Sequence, residues 1–421
     1  MRIFKFGGAS IKNVTGVKNL VRVLEHEGTK DTFVVVSAMG KMTNAFEKVV
    51  TAYLNNTKEL KNSIDEIQYF HQEILHNLFE NQHPVHQEIT DLFGKLQGFL
   101  IHNSTKEYSF VYDQIVCFGE LIATKIVSAF LNESGIKNTW FDSREIIKSD
   151  SNFRNAAVNW DETLFNCQKL NQQELYITQG FIGQDLKGNT TTLGREGSDF
   201  TAGILAYCLD AESVTIWKDV DGILNADPRV FEKTILLKQI SYQEAIEMAF
   251  YGASVIHPKT IKPLENKRIP LYVRSFKNLK NLGTKVGKDV QLVPKTSCFI
   301  VKKNQILVSI SAKDFSFMVE KNLSYIFDLL DQYKIKVNLI QNSAISFSVC
   351  IEDNYSNFTT FYNELQPNFI VKFNENVTLF TIRHFDSKTI KEIEKKGTVI
   401  LKQISRETVQ LIIDEKNNYV N

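Results

Sequence analysis

The sequence predicts an α/β protein: an open, mainly parallel sheet sandwiched by helices, followed by a smaller C-terminal α+β region. The N-terminus reads as a strand over residues 2–6, a glycine turn, a helix over 14–24 and a buried strand beginning at Phe33. A second strand, loop and helix follow over residues 179–209. Beyond residue 297 a strand–helix–strand–strand pattern repeats about every 60–70 residues, which is typical of paired small sandwiches.

The length of 421 residues is consistent with two or three domains. Residues 45–110 have helical apolar spacing and are predicted to form a helical lobe on the sheet domain. Lysine, glycine and proline become frequent near residues 283–297, so we place the boundary there. The expected domains are residues 1–290 and 297–421.

Charge and cysteine content exclude several classes of protein. Forty-nine basic residues oppose forty-eight acidic ones, which leaves no overall field for nucleic acid or an anionic membrane. The five scattered cysteines fit a reduced protein better than a disulfide framework or a zinc site. The N-terminus does not resemble a signal peptide, and the apolar run Phe33–Met39 is too short to span a bilayer. We therefore expect a cytoplasmic protein that binds neither nucleic acid nor membrane.

The run TTTLGREGSD, residues 190–199, joins an apolar strand to a helix and predicts an anion site. Gly194 and Gly197 allow close backbone approach, and Arg195 offers a planar fork for a carboxylate or phosphate. The alternative is an ordinary helix cap, in which Ser198 or Asp199 closes the helix for structure alone.

Polar residues also follow the first two strands. Lys5 precedes the Gly7-Gly8 turn, and Ser37 and Thr43 follow the second strand. Ligands bind at the carboxyl ends of parallel strands in open α/β sheets, so these residues are candidates for the same site.

Some candidates stay open on pattern alone. Glu120 lies in a helix predicted over 112–130 and is either an ordinary exposed carboxylate or a site residue. The histidines of the helical lobe lack HExxH spacing, so we expect surface positions and no protein metal site; they are His71, His76, His83 and His86.

Taken together, the motifs resemble those of the aspartate kinases in the amino-acid kinase family. They occur in the order expected for that family over about the first 290 residues. The motifs are KFGGAS from Lys5, VVVSAMGKMTN to Asn44, CFGE ending at Glu120, TTTLGREGSDFTA from Thr190, WKDVDGILNADPR from Trp217 and EMAFYGASVIHP ending at Pro258. The C-terminal region is similar to the tandem ACT domains of that family.

The resemblance implies an amino-acid kinase fold and ATP-dependent phosphorylation of the β-carboxylate of L-aspartate, with ATP and Mg²⁺ as cofactors. The implied catalytic residues are Lys5, Arg195 and Asp199. The implied aspartate-binding residues are Thr43, Glu120, Arg195 and Ser198. The implied nucleotide-binding residues are Lys5, Gly7, Gly8, Ser37, Lys218, Asp219, Arg229 and Ser254.

Four residues depart from the family pattern. Glu196 replaces a glycine, Lys218 a threonine, Leu224 a tyrosine and Ser254 a nucleotide-contacting lysine. Two alternatives therefore stay open: a kinase for another small acid, and an effector-sensing protein that binds substrates without turnover.

The ACT-like region predicts a homodimer built partly through residues 297–421. Lysine-sensitive relatives have a glycine and a glutamate where Lys321 and Ala344 occur here. A lysine effector would meet a like charge and lose an acidic partner, so the resemblance implies weak lysine inhibition.

Overall fold

A computed structural model describes residues 1–171, 174–253, 256–314 and 316–415. The strands in these ranges are β1 (Arg2–Phe6), β2 (Thr32–Val36), β3 (Thr139–Phe141), β4 (Tyr176–Gln179), β5 (Ile182–Gln184), β6 (Thr190–Thr192), β7 (Ser213–Lys218), β8 (Gln239–Ser241), β9 (Leu271–Ser275), β10 (Thr284–Gly287), β11 (Cys298–Ala312), β12 (Lys336–Asn342), β13 (Ser346–Glu352), β14 (Phe369–Arg383), β15 (Thr398–Ile404) and β16 (Thr408–Asp414). The α-helices are α1 (Val14–Glu27), α2 (Met42–Leu54), α3 (Glu59–Leu78), α4 (Val85–His102), α5 (Tyr108–Glu133), α6 (Ser143–Ile146), α7 (Trp160–Cys167), α8 (Gly197–Cys208), α9 (Tyr242–Tyr251), α10 (Pro258–Lys267), α11 (Glu320–Gln332), α12 (Phe358–Leu365) and α13 (Ser387–Glu394).

The chain forms two compact units. The first contains Met1–Ile223, Leu236–Ile246 and the segment that ends at Pro294. The second contains Leu224–Ile235, Glu247–Ala253 and the chain from Lys295 onward.

An eight-stranded sheet organises the first unit, in the order β3-β4-β2-β1-β7-β9-β10-β8. Its pairings are parallel except for β9 with β10, which is antiparallel. The polar ends of β1 and β2 therefore meet at one edge of the sheet, as the sequence pattern predicts, and the carboxyl end of β7 lies at the same edge.

Alternation along β1 decides which side chains reach each face. Phe4 and Phe6 enter a large apolar cluster with α1 and α5, so Lys5 between them points to the other face. Helix α8 contacts β1, β2 and β7, and its Asp199 meets Lys5. The alternation along β1 therefore places Lys5, a charged residue in a buried strand, opposite Asp199 of α8.

Helix α5 is long and apolar enough to cross a membrane by length and composition alone. However, 78% of its apolar window is buried inside the protein. It packs in the same apolar cluster as α1 and the helical lobe, so its apolar composition is explained by its position in the core.

A six-stranded antiparallel sheet organises the second unit, in the order β12-β13-β11-β14-β16-β15. Its two halves repeat the same arrangement, because β11 pairs with β13 and β14 while β14 pairs with β16. Helices α11 and α12 pack over one half, and α13 packs over the other.

The predicted fold class is confirmed, and three local features differ. Residues 190–192, expected in a loop, form strand β6 of a hairpin with β5. Helix α7 was not predicted. His71, expected at the surface, is buried against Phe70 and Phe93, and its Nδ1 lies 2.8 Å from the Ile67 carbonyl oxygen.

Candidate active site

A cavity of about 410 Å³ opens at the carboxyl ends of β1 and β2 in the first unit. Every residue that the sequence singles out for catalysis or aspartate binding lines it, together with two of the predicted nucleotide-binding residues. These are Lys5, Gly8, Ser37, Thr43, Glu120, Arg195, Ser198 and Asp199. The structure therefore brings together residues that are up to 194 positions apart, from the ends of β1 and β2, from α2, from α5 and from the start of α8.

A buried ion pair forms part of the cavity wall. The Nζ atom of Lys5 lies 2.6 Å from Oδ1 of Asp199, and the two residues are only 8% and 4% exposed. A Cβ atom at Gly7 would lie 3.2 Å from that Nζ, so glycine there leaves room around the ammonium. Lys5 is thus a cation fixed in place beside the cavity, in surroundings that weaken Coulomb interactions less than water does.

The loops after β1 and β2 are bonded backbone to backbone. The Ser37 N–H donates to the Phe6 carbonyl at 3.0 Å, and the Gly40 N–H donates to the Gly8 carbonyl at 2.9 Å. A Cβ at Gly8 would lie 2.6 Å from the Ala38 carbonyl oxygen, so only glycine fits. This packing holds Ser37 and Gly8 on the cavity wall.

Glu120 is a buried carboxyl group and not an exposed helix residue. It is 2% exposed, and its Oε1 accepts the Ala38 N–H at 3.3 Å. Its Oε2 has no hydrogen-bond partner in the described part of the chain. Burial raises the pKa of Glu120 to about 8, and the bond from the Ala38 backbone only partly opposes this. A cation entering the cavity would meet a carboxyl oxygen that the protein leaves unpaired.

The start of α8 is not an ordinary cap made by Ser198 or Asp199, so that alternative is wrong. The N-cap is Glu196 in the left-handed region at φ 54°, and its side chain makes no capping bond to the helix. Ser198 lines the cavity instead, and Asp199 pairs with Lys5. The N–H groups of Gly197 and Asp199 bond to carbonyls within the loop, so this helix end has fewer free amides than the sequence predicted.

Arg195 and Glu196 occupy the exposed part of the loop. Arg195 is exposed and lines the cavity. The Oε2 of Glu196 accepts the His257 N–H at 2.9 Å, just before α10 begins. This places the extra negative charge at a helix N-terminus, where the helix dipole favours it.

Asp113 of α5 stabilises the loop that precedes α8, and the sequence did not single out this residue. It is fully buried, and its carboxylate accepts the Thr192 N–H at 2.8 Å and the Thr192 hydroxyl at 2.7 Å. It also accepts the Arg154 N–H at 3.0 Å. Burial raises the pKa of Asp113 to about 6, against the opposing effect of these bonds. One carboxylate thus orders both the strand before Arg195 and the turn at Arg154.

Three other predicted nucleotide-binding residues, Lys218, Asp219 and Arg229, do not line the cavity. Lys218 ends β7, the neighbour of β1, and is half-buried, while Asp219 follows it and is exposed. Arg229 is exposed in a segment of the second unit, where its guanidinium pairs with Asp227 at 2.7 Å. Ser254 lies outside the described residues.

Comparison with known proteins gives the chain its family. A model of the amino acid kinase family matches residues 1–275. Lysine-sensitive aspartokinase 3 of Escherichia coli (strain K12) is 31% identical over 366 residues, which cover 85% of this chain and 79% of that protein. Bifunctional aspartokinase/homoserine dehydrogenase 2 of Arabidopsis thaliana is 28% identical over 368 residues, which cover 83% of this chain. The chain spans 39% of that relative and 47% of a bifunctional relative from Buchnera aphidicola.

The fold agrees with these matches. The structure of E. coli aspartokinase III in complex with lysine and aspartate superposes with a TM-score of 0.81 at 26% identity, over 99% of this chain and 96% of that one. The resemblance drawn from the motifs is confirmed. The chain belongs to the amino acid kinase family.

Proposed function

We propose that this protein transfers the γ-phosphoryl group of ATP to the β-carboxylate of L-aspartate, giving 4-phospho-L-aspartate. The observation that carries the proposal is one cavity containing a buried lysine, a buried carboxyl group with an unpaired oxygen, and an exposed arginine. These groups match the charges of an acidic amino acid and a transferred phosphate. E. coli aspartokinase III, a structural neighbour, is known in complex with aspartate and ADP.

The α-ammonium and the α-carboxylate of aspartate each have a partner of opposite charge in the cavity. Glu120 takes the α-ammonium through its free Oε2, and the ion pair this forms ionises the carboxyl group. Arg195 takes the α-carboxylate, because a planar guanidinium can donate two parallel hydrogen bonds to it. Thr43 and Ser198 supply hydroxyl groups that orient the substrate.

Phosphoryl transfer depends mainly on positioning and on neutralising charge. Lys5 is held by Asp199 and stabilises the negative charge on the transferring phosphoryl oxygens. The β-carboxylate of aspartate is already ionised near neutral pH, since its pKa is ~4, so no general base has to remove a proton.

The nucleotide is assigned to the edge of the sheet at the ends of β1 and β7. The residues proposed there are Lys5, Gly7, Gly8, Ser37, Lys218 and Asp219. The family motifs alone add Arg229 and Ser254 to the proposed nucleotide-binding residues. Oxygen donors such as Ser37 and Asp199 fit a hard cation that is held mainly by phosphates. Mg²⁺ bound to ATP supplies additional positive charge at the transferred group.

A second candidate function is substrate binding without turnover. Glu196, Leu224 and Ser254 depart from the family pattern and favour it. The intact Lys5–Asp199 pair at 2.6 Å opposes it, because that pair is the part of the site that turnover needs.

An ADP-release assay separates these candidates. The protein is incubated with ATP and Mg²⁺, with L-aspartate, L-glutamate or no acceptor. Aspartate-dependent ADP release is the expected result. Release that depends on another acid identifies a different substrate, and saturable aspartate binding without ADP release identifies the binding protein.

For the second unit we propose assembly and regulation. Residues 1–290 carry catalysis, and residues 297–421 form an ACT-like region that joins two copies of the chain into a homodimer in the cytoplasm. The Met318 N–H donates to the Ala344 carbonyl at 2.9 Å, so the loop before α11, with Lys321 in the first turn, adjoins the β12–β13 turn. A lysine effector placed there meets the Lys321 cation and no carboxylate at Ala344, so inhibition by lysine is weak.

Light scattering and a lysine titration test this assignment. The expected results are a dimer mass and little inhibition by millimolar lysine. A monomer, or half-inhibition by sub-millimolar lysine, contradicts it.

A further inference from the structure

Arg154 lies in the wall of the cavity, in a backbone conformation that long side chains rarely adopt. Its φ is 69°, in the left-handed region that favours glycine and asparagine. Both carboxylate oxygens of Asp113 accept its N–H, at 3.2 and 3.0 Å. The neighbouring Ala156 N–H donates to the Thr192 carbonyl at 3.0 Å. The bonds that fix the turn need only a backbone N–H at position 154, so they do not explain an arginine there.

The side chain of Arg154 is held by two aromatic rings. Its guanidinium carbon lies 5.1 Å from the ring centre of Tyr108 and 4.7 Å from that of Tyr112. Tyr112 itself lines the cavity. Arg154 is exposed and forms no ion pair with a carboxylate in the described ranges of the chain. Its guanidinium is therefore oriented by cation–π contacts while its donors stay available.

We propose that Arg154 is a second guanidinium of the amino-acid subsite and binds the α-carboxylate of the acceptor together with Arg195. The assignment rests on the proposed function. Tyr112 and Glu120 both belong to α5, so Arg154 approaches from the same wall as the group that takes the α-ammonium. The ammonium and the α-carboxylate share one carbon atom of the substrate, so a cation on this wall suits the α-carboxylate. Lys5, the cation for the phosphoryl group, approaches from the sheet instead.

The alternative is a purely structural role, in which the Arg154 side chain only packs on the rings of Tyr108 and Tyr112. The two roles differ in which ligand responds to substitution. A substrate contact affects ligands that carry an α-carboxylate. A structural contact affects stability and all ligands of the cavity alike.

Calorimetric binding measurements on the full chain distinguish them. The ligands are L-aspartate, β-alanine and ADP with Mg²⁺; β-alanine is aspartate without its α-carboxylate. The variants are Arg154→Gln, which removes the charge, and Arg154→Lys, which retains it. The matched control is Lys106→Gln, because Lys106 is also exposed and lies 4.6 Å from a tyrosine ring centre but does not line the cavity.

We expect Arg154→Gln to weaken aspartate binding about tenfold, the effect of one charge-assisted contact at an exposed site. Binding of β-alanine and of ADP should stay within about twofold of the unaltered chain, a margin below ~0.5 kcal/mol. Arg154→Lys should recover part of the loss, and Lys106→Gln should change nothing.

Three results overturn the assignment. They are unchanged aspartate binding in Arg154→Gln, an equal loss for β-alanine, and a larger loss for ADP than for aspartate. Preserved ADP binding shows that the variant is folded. If the unaltered chain binds no aspartate, the proposed function fails and this assignment fails with it, whereas a failure confined to Arg154→Gln leaves the proposed function standing.

Discussion

The cavity has a buried floor and an exposed rim, and the two differ in how their charges are held. The floor contains Lys5, Glu120, Ser198 and Asp199, none more than 9% exposed. The rim is formed by the exposed residues Arg154, Arg195 and Glu196. Floor residues come from a strand or helices, whereas Arg154 and Glu196 of the rim have φ angles of 69° and 54°.

From this difference we expect the buried floor to serve the chemical step and the exposed rim to serve recognition of the substrate. A buried charge interacts strongly with a transition state and is expensive to leave unpaired, so floor substitutions should change both turnover and stability. A rim charge is screened by solvent, so its substitution should change mainly the KM for the charged acceptor.

The largest effect is expected at Lys5. Lys5→Met should lower kcat at least ~10²–10³-fold, because it removes a cation aimed at the developing phosphoryl charge. It should also lower the free energy of unfolding by about 3–5 kcal/mol, since Asp199 is left buried without its partner. Steady-state kinetics and urea denaturation measure the two changes.

The double variant Lys5→Met/Asp199→Asn is the control for stability. It should regain most of the lost free energy of unfolding but none of the activity. If activity returned with stability, Lys5 would have only a structural role.

The next effect concerns Glu120 and pH. In the free protein this carboxyl is largely protonated below its pKa of about 8. Binding the substrate ammonium should ionise it, so aspartate affinity should rise by up to ~10-fold per pH unit between pH 6 and 8. Glu120→Gln should weaken aspartate binding and abolish this pH dependence. A pH-independent affinity in the unaltered chain would contradict the assignment.

Glu120 should also reduce stability. Its folded-state pKa exceeds the ordinary value of 4.5, so the native state binds more protons than the unfolded state between about pH 4.5 and 8. Stability therefore falls as pH rises through that range. Glu120→Gln should raise Tm by roughly 2–4 °C or more at pH 8, and by less at pH 5. Thermal melts at the two pH values measure this, and an equal shift at both contradicts it.

At the rim, Arg195→Ala should raise the KM for aspartate ~10–100-fold and the KM for ATP by less than ~3-fold, because charged hydrogen bonds contribute about 1.5–3 kcal/mol. The free energy of unfolding should stay within ~0.5 kcal/mol, since the side chain is exposed. A larger change in the KM for ATP would mean that Arg195 contacts the nucleotide.

The smallest effect is expected at Glu196. Glu196→Gly relieves the strain of a non-glycine residue at positive φ, which is stabilising, and removes the hydrogen bond from the His257 N–H, which is destabilising. Because the two effects oppose each other, the free energy of unfolding should change by less than ~1 kcal/mol. Loss of the negative charge next to Arg195 should lower the KM for aspartate about 2–3-fold at low salt and less at 0.5 M salt. A raised KM would mean that Glu196 positions the loop.

The floor and Arg195 of the rim were largely predictable from sequence, whereas Arg154 of the rim and the supporting Asp113 were not. Lys5 and Asp199 belong to local motifs whose strand and helix periodicity places them on facing surfaces. Asp113 was missed because its partners, Arg154 and Thr192, are 41 and 79 residues away. Pattern reasoning has no means of pairing such distant polar groups.

Arg154 and His71 show the same limit. Nothing local marks Arg154 as a residue with positive φ, because Asp113 imposes that turn from another helix. His71 is polar in sequence but satisfies its Nδ1 within its own helix, and burial lowers its pKa to about 4. A neutral imidazole can therefore pack in the core of the helical lobe.

The proposed function requires this cavity to phosphorylate the side-chain carboxylate of an amino acid. Trapping the acyl phosphate tests it most directly: the protein is incubated with ATP, Mg²⁺, L-aspartate and hydroxylamine, and the products are identified by mass spectrometry. We predict the β-hydroxamate of aspartate in amounts that match ADP release, and none with Lys5→Met. ADP release without hydroxamate, or hydroxamate at the α-carboxylate, would contradict the proposed function.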